Sequence, residues 1–104
     1  MLDKEAAREI AIKYAEEVKK VLNPKAIILF GSYVNSVPHK DSDIDIAIVF
    51  DDFKGNWLET LSLLCSLKRR VSVDIEPHMM DEASDRSGFL EHIIKTGEII
   101  YEAA

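Results

Sequence analysis

Residues 27–50 of the chain read I-I-L-F-G-S-Y-V-N-S-V-P-H-K-D-S-D-I-D-I-A-I-V-F. Two short apolar segments, 27–30 and 46–50, are rich in Ile, Val and Phe and are bounded by turn-forming residues, which is typical of buried strands. Gly31-Ser32 follows the first segment, and ten residues separate it from Asp43-Ile44-Asp45, which opens the second. The stretch therefore predicts a strand, a tight Gly-Ser turn, a short helix or loop, and a second strand.

Asp43 and Asp45 point to one face of the second strand, because side chains alternate along a strand. Two neighbouring carboxylates repel each other unless a cation or a proton intervenes, and their oxygens suit a hard ion such as Mg²⁺. Gly31 lets the backbone approach a ligand closely, and Ser32 stands at a predicted helix start, where a hydroxyl and amides can hold phosphate. The aspartate pair or the Gly-Ser turn alone is common and often only structural, but together they suit attack on a nucleoside triphosphate.

The order Gly31-Ser32, ten residues, Asp43-x-Asp45 resembles the signature of the minimal nucleotidyltransferases (MNT), a small branch of the DNA polymerase β-like nucleotidyltransferase superfamily. The resemblance covers nearly the whole chain and implies a palm-like fold. It also implies that Asp43 and Asp45 bind two Mg²⁺ ions, that a later strand supplies a third carboxylate, and that Gly31-Ser32 holds the triphosphate of ATP. Relatives often carry an Arg shortly after the Gly-Ser pair, where this chain has Val34-Asn35-Ser36.

The third carboxylate is expected in the segment V-S-V-D-I-E, residues 71–76. Its alternation predicts a strand with Asp74 and Glu76 on the polar face. Asp74 matches the family pattern, and the resemblance gives it a share of one metal ion and a part in deprotonating the attacking hydroxyl. Glu76 is the alternative, and a merely solvated strand face is a further interpretation. Pro77 is expected to close the strand, with residues 78–87 forming a loop at the rim.

Helical periodicity predicts three longer helices, at residues 3–22, 57–68 and 89–96. The first is expected to end at Asn23-Pro24, Asn56 to cap the second, and Gly97 to end the third before a short strand at 98–101. These elements predict one α/β (α+β) domain over residues 1–104, with a small mixed β-sheet, helices mainly on one face and the acids on the other. An open sheet face is unusual in so small a domain, which implies that substrate, metal or partner covers it.

Composition narrows the class of protein. The chain has 104 residues, of which 47% are hydrophobic and 31% charged, as in soluble globular domains. It has no apolar run of about 20 residues, and its charged N-terminus does not resemble a signal peptide, so we expect a cytoplasmic protein without membrane contact. The net charge of −6 disfavours direct binding to nucleic acid. The single cysteine, Cys65, is interpreted as a buried, inert thiol.

Three further features have both a functional and a structural interpretation. His39 could be a ligand, and either Lys40 or His39 could replace the missing Arg, but a single loop histidine is more often an ordinary surface residue. Trp57 could stack on a base, although an aromatic residue in a helical stripe usually packs. Lys68-Arg69-Arg70 could clamp phosphate, but cations at a helix end also complement the helix dipole.

Small members of the MNT branch typically pair with a HEPN-domain ribonuclease toxin and act as antitoxins by adenylylating a tyrosine of the toxin. The resemblance thus implies AMP transfer from ATP to a HEPN partner, catalysed by Asp43, Asp45 and Asp74. A second hypothesis is a binding module that neutralises its partner by masking it, which the missing Arg favours and the three acids oppose. A third is transfer to a small substrate, for which this chain would need a second subunit. A homo-oligomer stays open, since a domain of this size often buries surface against a partner.

Overall fold

A computed structural model describes residues 3–35 and 43–103, which form helices and strands in the predicted order. The elements are α1 (Lys4–Val21), β1 (Ala26–Phe30), α2 (Ser32–Asn35), β2 (Ile44–Phe50), α3 (Trp57–Lys68), β3 (Ile75–Asp81), α4 (Phe89–Thr96) and β4 (Glu98–Glu102). Within the described ranges, no helix combines the length and the apolar character needed to cross a membrane. His39 and Lys40, considered above as ligands, lie outside these ranges.

Local signals explain where the helices begin and end. Asp3 caps α1 by accepting the Ala6 amide at 2.7 Å, and Asn56 caps α3 by accepting the Glu59 amide at 2.9 Å. These side-chain acceptors satisfy amides that have no partner inside the helix. Gly97 occupies the C-cap of α4, as predicted.

The four strands form one mixed sheet in the order β3-β2-β1-β4. β1 runs antiparallel to β2 and β4, whereas β2 and β3 are parallel. The carboxyl end of β1 and the amino ends of β2 and β3 therefore meet at one end of the sheet. We call this the acidic end; it comprises Gly31, Asp43, Asp45, Asp74 and Glu76.

The sheet buries both of its faces, but unequally. Helices α1, α2 and α3 cover one face, against apolar side chains of β1 and β2 such as Ile27, Leu29 and Ile46. On the other face α4 alone contributes buried residues, Leu90 and Ile93, to the second apolar cluster. The predicted placement of helices mainly on one face is confirmed, and Asp45 lies on the face that α4 shares.

The buried phenol of Tyr14 ties α1 to α3 within the larger apolar layer. Its hydroxyl donates a hydrogen bond to the Leu64 carbonyl at 2.8 Å. Burial raises the pKa of Tyr14, so the hydroxyl keeps its proton and remains a donor. This hydrogen bond holds together α1 and α3, the two long helices that cover one face of the sheet.

The prediction for β3 was wrong in its bounds. The strand does not span residues 71–76; it runs from Ile75 to Asp81 and includes Pro77. Residues 69–74 belong to the turn after α3, so Asp74 precedes the strand instead of lying within it. Proline is tolerated because β3 stands at the edge of the sheet, where a missing N–H can face away from the neighbouring strand.

Gly97→Ala is expected to lower the free energy of unfolding by about 1–3 kcal/mol, because the added methyl group overpacks the junction of α4 and β4. A Cβ here would lie 2.8 Å from Ile28 Cγ2 and equally close to the carbonyl oxygens of Leu29 and Ile93. Urea denaturation of the two proteins measures the difference. An unchanged midpoint at an unchanged slope would contradict this account of the junction.

Candidate active site

The strand register brings the acidic end together. In the pairing of Cα atoms, Asp45 stands opposite Phe30 on one side and Glu76 on the other. At the start of β2, the Ile44 amide donates a hydrogen bond to the carbonyl of Asp74, the residue before β3, at 2.8 Å. The backbone of Asp74 therefore lies beside the start of β2, close to where Asp43 precedes it. Asp43 and Asp74 thus lie just before the two parallel strands, and Asp45 and Glu76 lie opposite each other within them.

Gly31 has a second role besides ending β1. Its φ of +83° lies in the left-handed region that favours glycine. A Cβ on Gly31 would overlap a carboxylate oxygen of Asp45. The sequence predicted a glycine that lets a ligand approach, and the structure shows in addition that the missing side chain makes room for Asp45.

Asp45, Glu76 and His78 form a compact cluster on the face of the sheet that α4 shares. One potential ligand atom from each residue lies within 4.8 Å of those from the other two. Nε2 of His78 is 3.1 Å from Oδ1 of Asp45, and the two side chains are 32% and 24% exposed, so solvent and ions can reach them. The hydrogen bond to Asp45 raises the pKa of His78, with support from the charge of Glu76 and against the effect of burial.

Phe30 holds the histidine of this cluster from the side. Its ring lies edge-on to the His78 imidazole, with 5.1 Å between the ring centroids. Phe89, at the start of α4, packs edge-on to Phe30 at 6.0 Å. The imidazole is thus contacted by Asp45 on one side and by the Phe30 ring on another.

The predicted site residues fall into two groups. Asp45 joins the cluster, whereas Asp43 and Asp74 are exposed at the starts of β2 and β3 and, within the described part of the chain, lie outside it. Gly31 contacts Asp45, and Ser32 is the first residue of α2, directly after that contact. The predicted residues therefore lie at the acidic end, except Ser32, which directly follows it in α2.

His78 is the residue that sequence reasoning missed. The signal was present, because Glu76, His78 and Met80 continue the alternation of residues 71–76 beyond Pro77. Treating Pro77 as the end of the strand placed His78 in a loop. Glu76, the alternative third carboxylate, becomes a stronger candidate for the same reason, because it lies inside the strand next to Asp45.

Trp57 and Lys68 both make contacts within the fold. Trp57 packs edge-on against Phe53 at 5.5 Å, and Phe53 in turn contacts Phe50 at the opposite end of β2 from the acids. Lys68 donates from Nζ to the Ile75 carbonyl at 3.0 Å. The ring contact supports the interpretation of Trp57 as a packing residue, and the hydrogen bond ties the end of α3 to the start of β3.

The acidic end is suited to hold divalent cations. Asp43, Asp45, Asp74 and Glu76 place four carboxylates at the starts of two adjacent strands. Among the ion pairs of the described residues, only the contact of His78 with Asp45 involves any of these four. Carboxylate oxygens that lack a basic partner are the donors that Mg²⁺ prefers. The Gly31-Ser32 turn beside them offers backbone that a phosphate can approach closely.

Comparison with known proteins identifies the family and the fold of the chain. A family model described as polymerase beta, nucleotidyltransferase matches residues 12–104. No curated protein matches the chain. Among solved structures, a Sulfolobus solfataricus protein assigned as a nucleotidyltransferase is similar with a TM-score of 0.68 and 22% identity, over 95% of this chain and 83% of that one.

Two similar structures contain toxin–antitoxin complexes. A toxin–antitoxin structure with AMP-PNP has a TM-score of 0.59 and 26% identity, over 92% of this chain and 73% of that one. A complex of a tri-AMPylated Shewanella oneidensis HEPN toxin with its MNT antitoxin has a TM-score of 0.54 and 24% identity, over 96% of this chain and 73% of that one. These similarities concern the fold of the chain described above.

Proposed function

The chain belongs to the polymerase beta nucleotidyltransferase family, and from this premise we propose that it acts as an antitoxin by transferring AMP from ATP to the hydroxyl of a tyrosine on a HEPN toxin. One observation carries the proposal: the register brings the Gly31 turn and the acids of β2 and β3 to one end of the sheet. A phosphate seat beside metal-binding carboxylates is what nucleotidyl transfer requires.

The donor set fits Mg²⁺, because the acidic end is dominated by carboxylate oxygens. Asp43, Asp45 and Asp74 would hold two ions, and Glu76 stands beside Asp45 to complete the set. When bound, the ions would polarise the α-phosphate and neutralise charge on the leaving pyrophosphate. Gly31 and Ser32 would seat the β- and γ-phosphates of ATP.

At the α-phosphorus of ATP, one bond forms and one breaks. The acceptor oxygen bonds to the α-phosphorus of ATP, and the bond from that phosphorus to the oxygen bridging to the β-phosphate breaks. Pyrophosphate leaves with the bonding electrons. Asp74, exposed at the start of β3, would accept the proton of the attacking hydroxyl.

The acceptor and the nucleotide are supported by similarity. One similar structure contains an AMPylated HEPN toxin with an MNT antitoxin, and another contains AMP-PNP. The net charge of −6 suits a protein acceptor better than a nucleic acid. With ATP as donor and a ribonuclease as partner, the protein would act in the cytoplasm.

Incubation with a HEPN partner, ATP and Mg²⁺ is expected to raise the intact mass of the partner in AMP-sized steps. EDTA should abolish the increase, because the acids cannot stabilise the transferring phosphoryl group without a cation. Mass spectrometry of the partner measures both results. A partner that binds stably but gains no mass would contradict the transferase.

Masking without catalysis is the second candidate, and one observation favours it. Where relatives often carry an Arg, this chain has Val34-Asn35-Ser36, which supplies no cation for the phosphates. The double variant Asp43→Asn with Asp45→Asn separates the candidates. If the variant still silences the partner in cells, masking is sufficient; if toxicity returns although the complex forms, transfer is required.

A further inference from the structure

The cluster of Asp45, Glu76 and His78 has a donor set that the motif did not predict. Asp45 and Glu76 face each other on adjacent parallel strands, and His78 follows Glu76 on the same face two residues later. The three side chains therefore project from neighbouring positions of a rigid strand pair. Two carboxylates and an imidazole are brought together by the backbone and not by a flexible loop.

The spacing of the cluster suits a single ion. Ligands about 2.1 Å from Zn²⁺ lie about 3.4 Å apart in a tetrahedral site and at most about 4.2 Å apart on opposite sides of an ion. Nε2 of His78 and Oδ1 of Asp45 are 3.1 Å apart, close to the tetrahedral value. Because all three donor atoms lie within 4.8 Å of one another, small side-chain rotations would bring them onto one ion.

The charges of the cluster also call for a cation. Carboxylates directly opposite each other on adjacent strands repel. Within residues 3–35 and 43–103, Glu76 makes no ion pair and Asp45 pairs only with His78. The two carboxylates therefore bring two negative charges to one point of the sheet, which a divalent ion would balance.

We propose that Asp45, Glu76 and His78 form a mixed nitrogen–oxygen site that binds Zn²⁺ more tightly than Mg²⁺. Imidazole nitrogen favours zinc and its neighbours, whereas Mg²⁺ prefers oxygen donors alone. Phe30 supports the site by holding the imidazole edge-on at 5.1 Å. The three protein donors would leave a position for water on the solvent side.

Asp45 belongs both to this site and to the set of acids assigned above to Mg²⁺. Resting on the proposed function, we therefore expect Zn²⁺ to withdraw Asp45 from the catalytic ions and to inhibit AMP transfer. His78 would then set the sensitivity of the enzyme to zinc. It would do so without touching the nucleotide.

Zinc binding to the metal-free protein tests the site without ATP or partner. Competition with a chromophoric chelator should show that His78→Gln weakens zinc affinity by at least about tenfold, while Mg²⁺ affinity, which depends on carboxylates, changes much less. His92→Gln is the matched control, because His92 is exposed on α4, and it should bind zinc like the wild type. Co²⁺ bound to the wild type should show the strong visible absorption of a low-coordinate site, and His78→Gln should lose it.

Equal zinc affinity in the wild type and His78→Gln would overturn the site, as would a weak Co²⁺ spectrum typical of six oxygen donors. Glu76→Gln provides an independent variant, with the same loss expected, in case His78→Gln fails to fold by circular dichroism. These results do not depend on catalysis, so they stand apart from any failure of AMP transfer. If saturating Zn²⁺ leaves AMP transfer unchanged, the inhibitory role is wrong.

Discussion

Asp45→Asn is expected to reduce AMP transfer by about 10³-fold or more while leaving the protein folded. Asp45 has close neighbours on three sides. It lies against the Gly31 turn, stands opposite Glu76 in the strand register and accepts a hydrogen bond from His78. Stabilisation of the transferring phosphoryl group by metal ions accounts for several kcal/mol, and about 4 kcal/mol corresponds to about 10³-fold in rate.

The fold should survive this change. An amide has nearly the same shape as a carboxylate, so Gly31 still accommodates it, and the removed charge relieves repulsion with Glu76. We expect the melting temperature to change little, because the lost attraction to His78 opposes the relieved repulsion with Glu76. Single-turnover transfer to the HEPN partner, followed by intact mass, measures the rate, and circular dichroism measures the melting temperature.

Asp51→Asn is the matched control for this prediction. Asp51 directly follows the opposite end of β2 and is exposed, so the same chemical change there should leave transfer at the wild-type rate. Comparable losses in both variants would indicate a general effect of charge and would contradict the role of Asp45.

The strands that carry Gly31 and Asp45 could be predicted from the sequence because their signals are local. β1 and β2 are short runs of Ile, Val and Phe, ended by Gly31 on one side and opened by the aspartates on the other. Both strands are central in the sheet, so burial on both faces demands such runs. Capping residues predicted the helix boundaries in the same local way, and Asn56 before α3 is the clearest example.

β3 could not be placed in this way because its start depends on a partner strand. Val73 alternates with Ile75 as an inward residue would, yet it is 76% exposed. Pairing begins only where β2 begins, with Ile44 opposite Ile75, and residues 69–74 are needed to turn the chain from α3. An edge position also removes the usual objection to Pro77 within a strand.

The details of the site depend on register and on backbone conformation. The Gly-Ser and Asp-x-Asp pattern predicted where chemistry would occur, but it carried no information on which acids would lie closest. The cluster of Asp45 with Glu76 and His78 follows from the parallel pairing, which no local pattern specifies. The contact of Gly31 with Asp45 requires both the antiparallel register and a positive φ.

Gly31→Ala is expected to impair both stability and AMP transfer. An alanine in the left-handed region costs about 1–2 kcal/mol in backbone energy alone, and here its Cβ would also overlap the carboxylate of Asp45. Asp45 would have to turn away from the Gly31 turn, which displaces it from the place where the phosphates would bind. A misplacement of about 1 Å at a reacting centre can cost about 10²-fold in rate.

Gly88→Ala separates the two effects, because Gly88 has a φ of +80° and no heavy atom within 4 Å of the place where a Cβ would stand. It should lose a similar amount of unfolding free energy, about 1–2 kcal/mol, and keep the wild-type rate of transfer. Urea denaturation and single-turnover mass measurements on both variants give the comparison. If Gly31→Ala transfers AMP as fast as Gly88→Ala, the close contact between the Gly31 turn and Asp45 has no catalytic importance, and the glycine serves the backbone alone.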